Sequence, residues 1–229
     1  MSIRRRHGRL AGLELASAET LRHDTCMLTL LARLYAAPLW LLATRTRDYT
    51  TLSYEVERWV KCSASRDLES LSCSKRFALL VLRYPEFRAL VRYRLRKLPP
   101  LVRLAMRLAW PAPKTLFIYC SEIGPGLFIQ HGFATAIDAE SIGRDFWVNQ
   151  QVTIGHDRSG KPTIGNGVRI GAGAVVVGGI CVGDGAQVGV NATVSNDVRP
   201  GQILTAPPAV DLYEAARTRR RTQHPRATK

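Results

Sequence analysis

Residues 164–194 read IGNGVRIGAGAVVVGGICVGDGAQVGVNATV, with a branched aliphatic side chain on every sixth position: Ile164, Ile170, Val176, Val182, Val188 and Val194. Gly165, Gly171, Gly183 and Gly189 follow four of the six. A helix repeats at about 3.6 residues and a strand at about 2, so neither yields a strict six. A hexapeptide repeat does, as the short strands of a parallel β-helix. Three hexads then make one coil of a triangular prism. One aliphatic per hexad points inward and stacks on its equivalent in the next coil, and the small residue beside it lets the chain turn the corner. Antiparallel hairpins would space their turn signals at roughly 8–12 residues and drift in phase.

Ile142, Val148 and Ile154 keep the same step, and so do Ile123 and Ile129. The grid breaks twice. Ile129 to Ile142 takes 13 residues instead of 12, which places a one-residue bulge near Ala134–Asp138. Ile154 to Ile164 takes 10 instead of 6, a four-residue protrusion within GHDRSGKPT. Beyond Val194 the repeat gives way to Pro200–Gly201 and a strand-like ILTAPPAV.

Pro111 and Pro113 mark a linker ahead of the coil. From Arg76 to Trp110, Leu and Val recur at three- and four-residue spacing with arginines between them. Pro85 and Pro99–Pro100 cut this block into three short amphipathic helices. Residues 54–72 read as one mixed polar helix. The apolar stretch 25–43 is interrupted by Arg33 and Pro38. Its clean run after Arg33 is 10 residues, against the roughly 20 a membrane span needs, so a packed or interfacial helix is expected. The fold class is α+β, an N-terminal helical region followed by a left-handed parallel β-helix of hexapeptide repeats. Its divisions are a basic extension over 1–45, a candidate for poor order, a basic helical domain over 46–115, the β-helix over 116–210, and a basic tail over 211–229.

Charge follows the same division. The chain carries +15, but residues 1–115 hold 22 Lys and Arg against 9 Asp and Glu, while 116–210 hold 5 against 7. No zinc-finger, RNP or helix-turn-helix pattern accompanies the basic flank, so nucleic acid is not expected as a partner. The amphipathic block 76–110 is expected either to pack within the protein or to touch the inner face of a membrane. Five cysteines (Cys26, Cys62, Cys73, Cys120, Cys181) are odd in number and never spaced CxxC. They read as reduced thiols in a cytoplasmic protein, with no thiolate metal site. An Arg-rich start without an uninterrupted apolar core argues against a secretory signal.

Of the five histidines only His131 and His156 fall in the repeat, each at or near one of its irregularities. Function concentrates on such loops while a rigid scaffold holds them. From about Ile123 to Val210 the chain resembles the hexapeptide acyltransferases, and is most similar to the serine acetyltransferase branch and its relatives in surface-polysaccharide clusters. The motifs that carry the resemblance are Gly126-Leu127-Phe128-Ile129-Gln130-His131, Val152-Thr153-Ile154-Gly155 and Ile170-Gly171-Ala172-Gly173-Ala174.

What the resemblance implies is transfer of acetyl from acetyl-CoA to a hydroxyl, with no metal, in a homotrimer or dimer of trimers. His131 becomes the general base, since an imidazole can take a proton from an alcohol near neutral pH. Gln130, His156 and Lys161 become acceptor-binding residues. Gly155 and the small turn Gly171, Ala172, Gly173 and Ala174 become the cofactor side, with Arg169 and Arg199 as phosphate partners. The chain also departs from the branch. Gln130 stands where relatives have Asp, Leu116 where they have the carboxylate partner of the histidine, and Lys161–Pro162 where they have His-Pro. Ala206-Pro207-Pro208-Ala209 replaces their G-N-P-A. Serine and a sugar hydroxyl both remain open as acceptor, and a backbone carbonyl, Glu122 or a neighbouring chain as the group orienting His131. Two other readings stand beside this one. A γ-type carbonic anhydrase needs three zinc-binding histidines where the coil has two, and a catalytically decayed scaffold or membrane-associated binding protein would need no base at all.

Overall fold

The computed structural model describes residues 27–46 and 48–208. The expectations for most of the extension, for the tail 211–229 and for the end of ILTAPPAV lie outside the described residues. The helices are α1 (Met27–Thr44), α2 (Tyr49–Cys62), α3 (Arg66–Glu69), α4 (Cys73–Arg83), α5 (Pro85–Arg94) and α6 (Pro100–Ala109). α1 packs one stripe, Ala32, Ala36, Leu39 and Ala43, and leaves Leu31, Leu34 and Leu41 exposed. Pro85 and Pro100 open α5 and α6 at the first turn, where the missing N–H costs nothing, so the block 76–110 divides as its prolines indicate. The single helix expected over 54–72 is instead α2 and α3. The chain leaves α2 at Ser63 and passes through Ala64 with φ 51, a left-handed residue that no glycine marks in the sequence.

From Leu116 the chain winds five times. The first coil is β1 (Leu116–Ile118), β2 (Glu122–Ile123) and β3 (Phe128–Ile129), and the second is β4 (Thr135–Ile137), β5 (Ser141–Ile142) and β6 (Trp147–Val148). The third is β7 (Thr153–Gly155), β8 (Thr163–Ile164) and β9 (Arg169–Ile170), and the fourth β10 (Val175–Val177), β11 (Cys181–Val182) and β12 (Gln187–Val188). β13 (Thr193–Val194) and β14 (Ile203–Leu204) form the last. Every pairing is parallel, and the strands sort into three faces: β1-β4-β7-β10-β13 (face A), β2-β5-β8-β11 (face B) and β3-β6-β9-β12-β14 (face C). This is the left-handed β-helix that the hexads foretold.

All six aliphatics of the grid from Ile164 to Val194 are buried. A second inward column, which the spacing did not reveal, lies two residues before each of the six: Pro162, Val168, Ala174, Ile180, Ala186 and Ala192. The first break also falls elsewhere than expected. Ile129 pairs with Val148 and Ile137 with Ile154, so the surplus sits in the turn His131–Ala134, before β4. The next corner, Ile137 to Ile142, is one residue short and hides part of it. The second break is a small hairpin in which Asp157 and Gly160 bridge. Asp157 Oδ1 accepts from Ser159 N and Oγ, both at 2.6 Å, and Ser159 Oγ accepts from Gly179 N at 2.7 Å.

One buried pair joins helices to prism. Arg94 donates to Glu55 Oε1 from Nε at 3.0 Å and from Nη2 at 2.5 Å, and to the carbonyls of Ile123 and Gly124 at 2.5 and 2.6 Å. Trp59 Nε1 adds a bond to the Leu127 carbonyl at 2.8 Å, and its ring meets Phe87 and Phe128. Burial pushes the Glu55 carboxyl up to about 7, against the pull of Arg94. Its folded pKa therefore exceeds its unfolded value. Between about pH 4.5 and 7 the folded protein holds a proton that the unfolded chain has released, so this group's stabilisation is lost as pH rises through that window. Urea melts of wild type and Glu55→Gln at pH 5 and pH 8 should show wild type losing stability relative to the variant at the higher pH. A constant difference would refute the coupling. At pH 8, where the carboxyl is ionised, Glu55→Ala leaves the guanidinium without its counter-charge and should cost about 3–5 kcal/mol.

Candidate active site

The three corners of the prism stack into three edges. On the edge between faces C and A lie the turns His131–Ala134, Asn149–Gln151, Gly171–Ala174 and Gly189–Ala192. Five residues there turn left-handed: His131 (φ 55), Ala134 (φ 50), Gln151 (φ 57), Gly173 (φ 70) and Asn191 (φ 58). Each turn bonds to the next, Gln151 N to the Phe133 carbonyl at 2.8 Å, Gly173 N to that of Gln150 at 3.1 Å, and Asn191 N to that of Ala172 at 2.9 Å. At about 4.8 Å per rung, the Gly171–Ala174 turn lies about 10 Å above His131 on the same edge. A Cβ at Gly173, itself at φ 70, would sit 2.2 Å from Asn191 Oδ1 and push that side chain aside. Between the two turns the Gln150 Oε1 atom is buried with no partner among the described residues.

His131 is exposed, and its imidazole has no hydrogen-bond partner among the described residues. Its neighbour Gln130 is tied down, with Oε1 accepting from Asn149 Nδ2 at 3.3 Å while Asn149 Oδ1 accepts from Trp147 Nε1 at 2.9 Å. Glu122 is an exposed residue of face B and pairs with Ser141. The carboxylate bonded into the histidine turn is Glu86, at the first turn of α5, whose Oε1 accepts from Gly132 N at 3.3 Å. Leu116 packs beneath the same turn, and a Cβ on Gly132 would meet Leu116 Cδ2 at 3.0 Å and Glu86 Cγ at 3.2 Å. Sequence reasoning missed Glu86 because it reaches the site from 46 residues away. Its only local sign is an acidic residue after an N-terminal proline.

Gly155, His156 and Lys161 gather on a second edge, between faces A and B. There Asp138 bridges two of them, with His156 Nδ1 at 3.1 Å from Oδ2 and Lys161 Nζ at 2.7 Å from Oδ1. The two histidines thus flank face A, whose outward residues in register are Phe117, Ala136, Thr153, Val175 and Thr193. None is charged. Face C is different: its base is covered by Trp59 of α2 against Phe128, and Arg169 lies over the Trp147 ring at 5.1 Å. Arg199 stands on the third edge, where its backbone N–H bonds Gln202 Oε1. Among the described residues no three His, Cys, Asp or Glu side chains converge as a metal site would require.

No family model matches the chain. A serine acetyltransferase of Helicobacter pylori (strain ATCC 700392 / 26695) is 35% identical over 161 residues, covering 66% of this chain and 90% of that protein. One from Synechococcus elongatus is 32% identical over 147 residues, 59% of this chain and 60% of that protein. Among solved structures, the Neisseria gonorrhoeae serine acetyltransferase in complex with serine superposes with a TM-score of 0.56 at 23% identity, over 92% of this chain and 95% of that one.

The Lys161 hydrogen bond first, and then that of His156, hold the Asp138 carboxyl below the usual aspartate range. Carbon-detected titration should find it ionised at lower pH than a free aspartate. Lys161→Gln should move the midpoint up by more than His156→Ala does. Equal midpoints in wild type and both variants would show that the bridge does not form in solution.

Proposed function

The chain belongs to the serine acetyltransferase family of acyltransferases, and we propose that it moves an acetyl group from acetyl-CoA to the hydroxyl of serine with His131 as general base. The observation that carries this reading is the shared edge: an exposed imidazole two rungs below a turn of small residues. Acetyl-CoA supplies an activated thioester. The backbone at Gly171, Ala172, Gly173 and Ala174 lets an extended chain lie close. His131 takes the hydroxyl proton as the oxygen attacks the acyl carbon, and returns it to the departing sulfur. The left-handed turn, stitched to Glu86, Thr115 and Gln151, keeps the imidazole in one place through both transfers.

Face A supports a homotrimer. It is uncharged, unlike faces B and C, and a neighbour packed on it would bring His156 of the partner subunit towards His131. Gly155, Asp138 and Lys161 would then form the far wall of one composite cleft, with Arg169 on the adjoining face C nearer to it than Arg199, which stands on the opposite edge. The described cysteines are free thiols, in keeping with a cytoplasmic enzyme.

A saccharide hydroxyl is the second acceptor, and Gln130 favours it. A neutral amide held by Asn149 offers no charge for the ammonium of an amino acid, whereas it can bond to a hydroxyl. Thiol release from acetyl-CoA, measured against a panel of serine and sugar acceptors, tests both. Acceptor-dependent release should fall about 10²–10⁴-fold in His131→Ala with the melting temperature unchanged. Release that persists in the variant would remove His131 from the mechanism, and no release with any acceptor would favour the inactive scaffold.

A further inference from the structure

Serine differs from a simple alcohol by the ammonium and carboxylate beside its hydroxyl, and a site that selects it must offer an anion to the ammonium. Gln130, a neutral amide, cannot. Asp138 is held by Lys161 and His156, Asp145 by Tyr54 and Arg58, and Glu122 lies on face B. Glu86 is the carboxylate that remains at the histidine turn. It enters α5 directly behind Pro85 and is half-buried. Oε1 accepts from Gly132 N at 3.3 Å, while Oε2 has no partner among the described residues and is not sealed from solvent. No Lys, Arg or His among the described residues pairs with it. Arg88, on the same helix, is occupied elsewhere, donating to the carbonyls of Pro111 at 2.7 Å and Val81 at 2.9 Å.

We propose that Glu86 is the specificity-determining residue for an amino-acid acceptor, its free oxygen receiving the ammonium of serine while Oε1 stays on Gly132. The imidazole belongs to His131 and the carboxylate is bonded to the next residue, so both groups are set on one turn. Hydrogen-bonded at both ends, the amino alcohol of serine spans about 8 Å from base to carboxylate, a reach that suits this placement. The carboxylate is also aimed in advance. Phe87 beside it is buried against Trp59, and Arg94 pins the far end of α5 to the Ile123 and Gly124 carbonyls. Little order then has to be imposed when the ammonium arrives. A half-buried ion pair is also screened less than one on the open surface. An alcohol without an ammonium would displace water from that carboxylate and replace none of its hydrogen bonds, so it is rejected. The charge that Gln130 lacks thus comes from the helical domain. This role rests on the reading of acetyl transfer to serine with His131 as base, and deepens it.

Glu86→Gln keeps an oxygen for Gly132 N and removes only the charge. In acetyl transfer by the full chain it should raise the KM for serine about tenfold or more, and leave kcat and the KM for acetyl-CoA within about twofold. Calorimetric titration with serine should show the same loss of affinity without turnover, at an unchanged melting temperature. In wild type, 3-hydroxypropionate, which is serine without its ammonium, should bind about tenfold or more weakly than serine, a comparison that needs no variant. Unaltered serine KM and affinity in Glu86→Gln, or equal binding of the two compounds by wild type, would overturn the role of Glu86 while serine acetylation stands. A loss confined to kcat, or shared equally by acetyl-CoA, would make Glu86 a brace for the turn and overturn it as a ligand. Wild type that neither binds nor acetylates serine would remove the amino-acid acceptor itself, and this role with it.

Discussion

An inward aliphatic every six residues, resting on its counterpart one rung away, is the constraint on which the rest of the molecule depends. Ile142, Ile164 and Val182 stack on face B, Val148, Ile170 and Val188 on face C, and Ile154, Val176 and Val194 on face A. Burial of such side chains contributes about 1.5–3 kcal/mol apiece, and a one-residue slip would turn each of them outward. Corners are held less tightly, since they need only return the chain in phase. Extra residues therefore collect there, and chemistry can be placed there without disturbing the stack.

The helices serve that arrangement. A prism cut off at its first coil would leave Leu116, Ile123 and Leu127 facing water. α2 and α5 cover them, with Trp59, Phe87 and Phe128 in edge contact and Arg94 bonded to two carbonyls of the first coil. Because α5 is pinned at Arg94, its first turn is aimed, and Glu86 arrives at Gly132. A carboxylate absent from the coil is thus supplied by the element that caps it. Its hydrogen bond goes to the backbone of the histidine turn, which steadies the turn and leaves the imidazole free.

This explains what could be read from residues alone. Periodicity is a local property, so the winding, the buried grid and the proline-cut helices were legible. So was the resemblance to the acyltransferase family, because its motifs are contiguous. The position of the first bulge was not, because Ile137 lies one residue off the hexad count and the short corner after β4 compensates. The end of α2 was not, because Ala64 carries no mark of a left-handed turn. Glu86 and Gln150 were beyond reach for a different reason. One acts through a contact 46 positions away, and the other matters for what it does not touch.

The uneven charge of the chain acquires a meaning in three dimensions. A near-neutral prism can pack face to face with copies of itself, and face A, uncharged between its two histidine edges, is suited to that. The basic region 46–115, with 15 Lys and Arg against 6 Asp and Glu, has no such need, and much of its charge is consumed structurally. Arg76 pairs with Glu57, Arg83 with Asp67, Arg94 with Glu55, and Arg88 caps the carbonyls of Val81 and Pro111. Of the remainder, Arg92, Arg107 and Lys114 face one cavity between α5, α6 and β1.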